Sequence, residues 1–105
     1  MTPPPTPSWA NPSGWLYSVR CANAEVASSM VEHFRAKKIE VRKFWRSLSS
    51  QSVYSDSAAI LSGVSQGLTG TIVSLPSSSS LTDKELAKVI SVLKSFDDSV
   101  VPKEL

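Results

Sequence analysis

Residues 15–44 read WLYSVRCANAEVASSMVEHFRAKKIEVRKF, and the fold follows from the change of period within them. Trp15, Tyr17 and Val19 alternate with Leu16, Ser18 and Arg20, the two-residue period of a strand, over Trp15 to Arg20. The period then lengthens. Ala27, Met30, Val31 and Phe34 fall at i, i+3, i+4 and i+7, so one apolar stripe runs along a helix from about Ala24 to Lys37, with Asn23 as its cap. Glu25 stands near the positive end of that helix, and Arg35, Lys37 and Lys38 near its negative end, the favourable sense for its dipole. Ile39 and Val41 alternate with Glu40 and Arg42 directly afterwards, predicting a second strand through about Phe44.

Outward from this unit, proline and serine mark the boundaries. Five of the seven prolines lie in residues 1–12, where missing amide donors and fixed φ oppose helix and sheet, so residues 1–14 read as an extended arm. Arg46 to Ser57 is serine-rich without apolar period and reads as the longest loop, of a kind that often carries function. A second helix is predicted from Asp56 or Ser57, burying Ile60, Leu61, Val64 and Leu68 and ended by Gly67. Thr71 to Leu75 is a β-branched strand, and Ser77 to Ser80 a turn. Thr82-Asp83-Lys84-Glu85 is a capping box, opening a third helix to about Phe96 with the stripe Leu86, Val89, Ile90 and Leu93. The expected fold is α+β, a two-layer small domain over residues 15–98. About three strands are packed by three helices in the order strand-helix-strand-helix-strand-helix, and a tail follows over 99–105.

Composition bounds the chemistry. In 105 residues with formal charge +2 and 41% hydrophobic content, one domain can bury a core, and the charge is too even to dictate a polyanionic partner. Lone Cys21 excludes an internal disulfide, and lone His33 excludes the common multi-His and Cys-His metal sites. No apolar run has membrane-spanning length, and the proline-rich start is unlike a secretory signal, so a cytoplasmic location without membrane contact is expected.

The individual candidates read as structural. His33 sits beside the apolar stripe of the first helix, a boundary residue rather than the relay of a Ser-His-Asp triad. Cys21, between strand and helix, is placed where helix amides could lower a thiol pKa, but without a second cysteine the preferred reading is a small semi-buried hydrophobe. Asp97 and Asp98 read as a solvated helix end rather than a cation site. Gly63, Gly67 and Gly70 lack the strand before and the Lys-Ser or Lys-Thr after that a phosphate loop needs. Arg35, Lys37, Lys38, Arg42, Lys43 and Arg46, interleaved with Phe44 and Trp45, form the best nucleic-acid signal. Acids elsewhere offset it, and nucleic acid is not the expected partner.

The stretch IEVRKFWRSLSSQSVY, residues 39–54, resembles without gaps a C-terminal segment of DegT-type, pyridoxal-phosphate-dependent nucleotide-sugar aminotransferases. The pattern there is Ile-Glu-x-Arg-Pro, two aromatics, prolines, Leu-His, then Gln and Tyr. Trp15-Leu16-Tyr17, Leu75-Pro76-Ser77-Ser78, Leu81-Thr82-Asp83 and Val89-Ile90 resemble that family's flanking strands and last helix, so the likeness runs from Trp9 to Phe96. It corresponds to the family's small C-terminal domain. The large domain, with the Schiff-base lysine, the aspartate on the pyridinium nitrogen and most phosphate contacts, has no counterpart in these residues. Arg42, Trp45, Gln51 and Tyr54 match the pattern, whereas Lys43, Arg46 and Ser47 replace prolines and Ser49 replaces the histidine.

The resemblance implies a substrate loop or interface at Arg42, Trp45, Ser49, Gln51 and Tyr54, made more mobile by the missing prolines. It implies no catalytic residue, no metal and no PLP bound by this chain alone, since Lys84, Lys88 and Lys94 lie on a surface helix. The expected function is that of a small domain covering substrate and meeting a large aminotransferase domain or a second copy. The alternative is a protein-interaction module using the basic and aromatic region of the second strand. An independent enzyme is not expected, because no complete catalytic constellation can be assembled.

Overall fold

A split unit of two strands and a helix organises the chain: β1 (Tyr17–Arg20) and β2 (Arg42–Lys43) are joined by α1 (Ala24–Ala36), yet the two strands do not touch. The computed structural model describes residues 1–100, with side chains through residue 97. After β2 come two short 3-10 turns, Leu48–Ser50 and Ser52–Tyr54, then α2 (Val64–Leu68), β3 (Ile72–Leu75) and α3 (Asp83–Val100). β3 inserts between the other strands, giving the order β1-β3-β2 with both pairings antiparallel. The α+β class, the three strands and the three helices are as the sequence predicts.

Register decides which residues face the helices. Val19 stands opposite Val73 and Lys43 opposite the same Val73, so these positions share one face. On that face Val19, Cys21, Val41, Val73 and Leu75 are buried against Ala27, Met30 and Phe34 of α1 and Val89, Val92 and Phe96 of α3. Ser18, Ser74 and Arg42 take the opposite face, where the Ser18 and Ser74 hydroxyls bond at 2.6 Å. The Asn23 cap forms as predicted, its Oδ1 accepting from the Val26 amide at 2.9 Å. Past α1, Lys38 adopts φ 58°, and the Ile39 amide returns to the Phe34 carbonyl at 3.0 Å, which reverses the chain.

Several boundaries and faces depart from the sequence reading. β2 is two residues rather than Ile39 to Phe44, because Ile39–Val41 are spent on the reversal; the Phe44 amide still donates to Ile72. β1 starts at Tyr17 rather than Trp15, and only Val19 of its predicted apolar face is buried, Trp15 and Tyr17 both being exposed. α2 does not begin at Asp56 or Ser57. Gly63, at φ 82°, sits in the left-handed region and interrupts the apolar period between Leu61 and Val64, leaving Ile60, Leu61 and Val64 exposed. Gly67 lies inside α2, and Thr69 caps its end.

α3 is turned from the predicted orientation. Val89, Val92 and Phe96 are buried and Leu93 half-buried, whereas Leu86 and Ile90 are 45% and 43% exposed. The cause is its neighbour. α3 leans on α1, and His33 Nε2 lies 3.2 Å from the Val92 carbonyl and 3.0 Å from Ser95 Oγ, drawing residues 92–96 inward. Asp97 is not beyond the helix but within it, and its nearest cation is the Met1 ammonium at 3.9 Å. The side chain of Asp98 and residues 101–105 of the expected tail lie outside the described residues, while 99 and 100 continue α3. The arm expected over 1–14 includes a bridge from Thr2 to Arg20.

The capping box is formed. Thr82 Oγ1 accepts from the Glu85 amide at 3.2 Å, and Glu85 Oε2 accepts from the Thr82 amide at 2.8 Å. Thr82→Ala is expected to lower stability by about 0.5–2 kcal/mol in urea melts. The two Thr82 donors, backbone amide first and hydroxyl second, hold the Glu85 carboxyl below its ordinary 4.5. A depressed folded value makes this contribution complete above the ordinary range and lost as pH falls through the lower folded value. The gap between the parent and Thr82→Ala should therefore narrow in acid without closing, because the Thr82 hydroxyl still accepts from the Glu85 amide when the carboxyl is protonated, and equal stability at neutral pH would mean that the box contributes nothing.

Candidate functional site

The candidate residues leave β2 and enter the loop that follows it. Arg42, exposed on the open sheet face, gives its Nε and NH2 groups to Glu40 Oε1 at 2.8 and 2.6 Å, so its charge is answered locally. It borders a hollow of about 560 Å³ that includes Leu16, Phe44, Ser74, Ser77 and Leu81. Beyond β2 the side chains become aromatic and solvent-facing. Trp45, 59% exposed, lies against Phe44 with ring centroids 4.5 Å apart and against Trp15 at 6.2 Å, tilted by 34° and 43°.

A second hollow, of about 420 Å³, opens beside Trp45 and is lined by Ser47, Ser49, Leu61, Leu68 and Ile72 among others. Ser47 is its fixed point. Its buried hydroxyl bonds Ser49 Oγ at 2.6 Å, its carbonyl accepts from Ser50 Oγ at 2.8 Å, and its amide donates to Thr69 Oγ1 at 3.3 Å. The last of these bonds ties the loop to the end of α2, and the other two hold residues 47–50 together. Trp45 and Ser49 are thus brought together on one hollow and Arg42 is set on another. Half-buried Gln51 stands between the two 3-10 turns and exposed Tyr54 ends the second, and neither residue lines either hollow. The contact of Trp15 with Trp45 is the feature the sequence reading missed, because it joins side chains from ahead of β1 and beyond β2 that no local spacing relates.

Other reactive side chains are engaged elsewhere. His33 bridges α1 and α3, where its Nε2 lies 3.0 Å from Ser95 Oγ and its ring meets Phe96 at 5.4 Å, while the Ser95 hydroxyl donates to the Val92 carbonyl at 2.8 Å, so this serine–histidine pair ties the two helices together. Cys21 is buried with Sγ 3.8 Å from Met30 Sδ, and burial raises its thiol above the ordinary range despite the lowering pull of the N-terminal ammonium and Lys43. The thiolate is disfavoured there. Among the described residues no group of three or more His, Cys, Asp or Glu could hold a metal, and no helix is long and apolar enough to cross a membrane. Within the basic cluster, Arg35 pairs with Glu32 at 2.5 Å, Arg42 with Glu40, and Lys43 Nζ with Ser28 Oγ at 2.5 Å.

The described residues do not fit pyridoxal phosphate. Lys37, Lys38, Lys43, Lys84, Lys88 and Lys94 are all exposed, and none faces an enclosed site that could orient a cofactor ring. Gly63 introduces only the five residues of α2, not a phosphate-binding helix.

A family model described as the DegT/DnrJ/EryC1/StrS aminotransferase family matches residues 1–94. No curated protein sequence matches the chain. Among solved structures, the aminotransferase TlmJ from Streptoalloteichus hindustanus superposes with a TM-score of 0.77 at 20% identity, over 92% of this chain and 26% of that one. At that identity the likeness shows a shared fold, and the chain spans about a quarter of the length of that aminotransferase.

Proposed function

Since the chain belongs to the DegT/DnrJ/EryC1/StrS aminotransferase family, we propose that it acts as the small-domain part of a PLP-dependent sugar aminotransferase, covering substrate and contributing interface surface without catalysing transfer by itself. The observation that carries this reading is the hollow at Trp45, where an exposed indole stands beside the Ser47–Ser49 hydroxyl pair and the Arg46 side chain. An aromatic face with adjacent hydroxyls suits a polar ring such as a sugar, and a cation suits a phosphate or carboxylate attached to it. Nothing in the described residues closes the hollow from above or supplies an enclosed lysine. The chemistry belongs to a large domain, and a nucleotide sugar handled in the cytoplasm is the corresponding substrate and setting.

Two measurements test this. The chain treated with pyridoxal phosphate and borohydride should show no adduct at one stoichiometric lysine by mass spectrometry; such an adduct would contradict the non-catalytic role. Added to a family aminotransferase deprived of its own small domain, the chain should restore turnover, and Trp45→Ala should raise KM more than it lowers kcat. No restoration, with Trp45-dependent binding to an unrelated protein instead, would favour the interaction-module alternative.

A further inference from the structure

Most of the large apolar side chains left in solvent stand on main chain that is already hydrogen-bonded. Trp9 lies in the turn closed by the Ala10 amide on the Pro7 carbonyl, Leu48 and Val53 in the 3-10 turns, Val64 in α2, and Leu86 and Ile90 in α3. Ile60 and Leu61 are different. They stand in residues 58–62, which have no regular structure, belong to the wholly exposed run 52–67, and make no main-chain hydrogen bond among the described residues. The last bond before them runs from the Ser57 amide to the Tyr54 carbonyl at 3.1 Å, and the first after them joins the Val64 amide to Ser62 Oγ at 3.5 Å. An endopeptidase draws its substrate out as a strand, so a turn or helix must open locally before it can be cut. A segment without main-chain bonds has none to lose. Small residues, Ala58, Ala59 and Ser62, flank the two large side chains, and exposed loops of that kind are preferred sites of nicking.

We propose that residues 58–62 are a processing site for an endopeptidase whose pocket takes the large apolar side chain just after the cut, Ile60 or Leu61, and that the cut chain stays together as one folded pair. At the bond from Ala59 to Ile60, water adds across C–N. Its oxygen goes to the Ala59 carbonyl carbon, which leaves as a carboxylate, and both its protons end on the nitrogen, which becomes the Ile60 ammonium. What holds the pair is the position of β3. The piece through Ala59 carries β1, α1 and β2, whose two strands do not touch, and the piece from Ile60 carries α2, β3 and α3. β3 pairs with both strands of the other piece, and the Cys21 amide donates across the cut to the Thr71 carbonyl at 2.8 Å. The core is divided in the same way. Val19, Met30 and Phe34 of one piece share it with Val73, Val89 and Phe96 of the other, so neither piece buries its apolar face alone. The cut removes none of these contacts and costs only the entropy of the lost connection.

The test adds thermolysin, which cuts ahead of a large apolar residue, to the folded full chain. Mass spectrometry of the denatured products should place the first cut ahead of Ile60 or Leu61, and native mass spectrometry should show both pieces as one species of the parent mass plus one water. Ile60→Ser combined with Leu61→Ser should slow the cut by at least about 10-fold, since the pocket loses its side chain. Val64→Ser, in α2, should leave the rate unchanged. A first cut ahead of Leu48, Val53 or Val64 overturns the site, as does a double variant cut at the parent's rate. So does a chain left whole under conditions that cut its urea-unfolded form. Pieces that separate in native conditions, or that are digested without a nicked form accumulating, overturn the pairing.

Discussion

Phe34→Ala is expected to destabilise the chain by about 3–5 kcal/mol in urea melts, enough to consume much of the stability of an ordinary small domain. Phe34 is fully buried, near the end of α1 and among residues contributed by β1, β3, α3 and by Val41 just ahead of β2. Its ring is the largest of the fully buried side chains, and its truncation leaves a void that Met30 and Val73 cannot fill without losing their own contacts. The backbone at this position also reverses the chain, the Phe34 carbonyl accepting from the Lys37 and Ile39 amides. Loosening of the ring's packing therefore reaches the return to β2. A change near zero would remove Phe34 from the core and with it the placement of α1 over the sheet.

The second large effect separates two orientations of α3. Phe96→Ala is expected to cost about 3–5 kcal/mol, since the residue is 4% exposed, whereas Ile90→Ala, at 43% exposure, should cost about 1 kcal/mol or less. Urea melts of both variants against the parent decide the matter. If Ile90→Ala were the more damaging, α3 would present the stripe Leu86, Val89, Ile90 and Leu93 to the sheet as its sequence suggests. The two substitutions remove apolar groups from the same helix, so their difference reports its rotation rather than its helical propensity.

Legibility of this fold in its sequence follows how local the cause is. The Asn23 cap and the Thr82–Glu85 box were readable because donor and acceptor lie within three residues, and the α1 stripe because one continuous face was buried. The rotation of α3 was not readable, because it depends on His33, 59 residues from the Val92 carbonyl it contacts. α2 was overextended because the apolar period continues from Ile60 through Leu68 while the left-handed conformation of Gly63 breaks it, and glycine permits either outcome. At the candidate site, the position of Trp45 after the second strand was legible. Its stack with Trp15 and the bond from the Ser47 amide to Thr69 required the sheet order and the loop path, whereas the pairing of Arg42 with Glu40, two residues away, is local.

The placement of β3 between β1 and β2 bears on how the molecule is assembled. Neither outer strand has a ladder partner until Ile72–Leu75 arrives, although both precede it in the chain. During synthesis from the N-terminus, α1 can coil as soon as it is exposed, but the sheet has no stable precursor and forms in one late, non-local step. A nascent chain stalled before β3 presents two unpaired strands and the apolar face of α1 to chaperones and proteases. Lengthening the segment between β2 and β3 adds only a slowly growing closure entropy, so that segment can vary in length while the order of its flanking strands remains fixed.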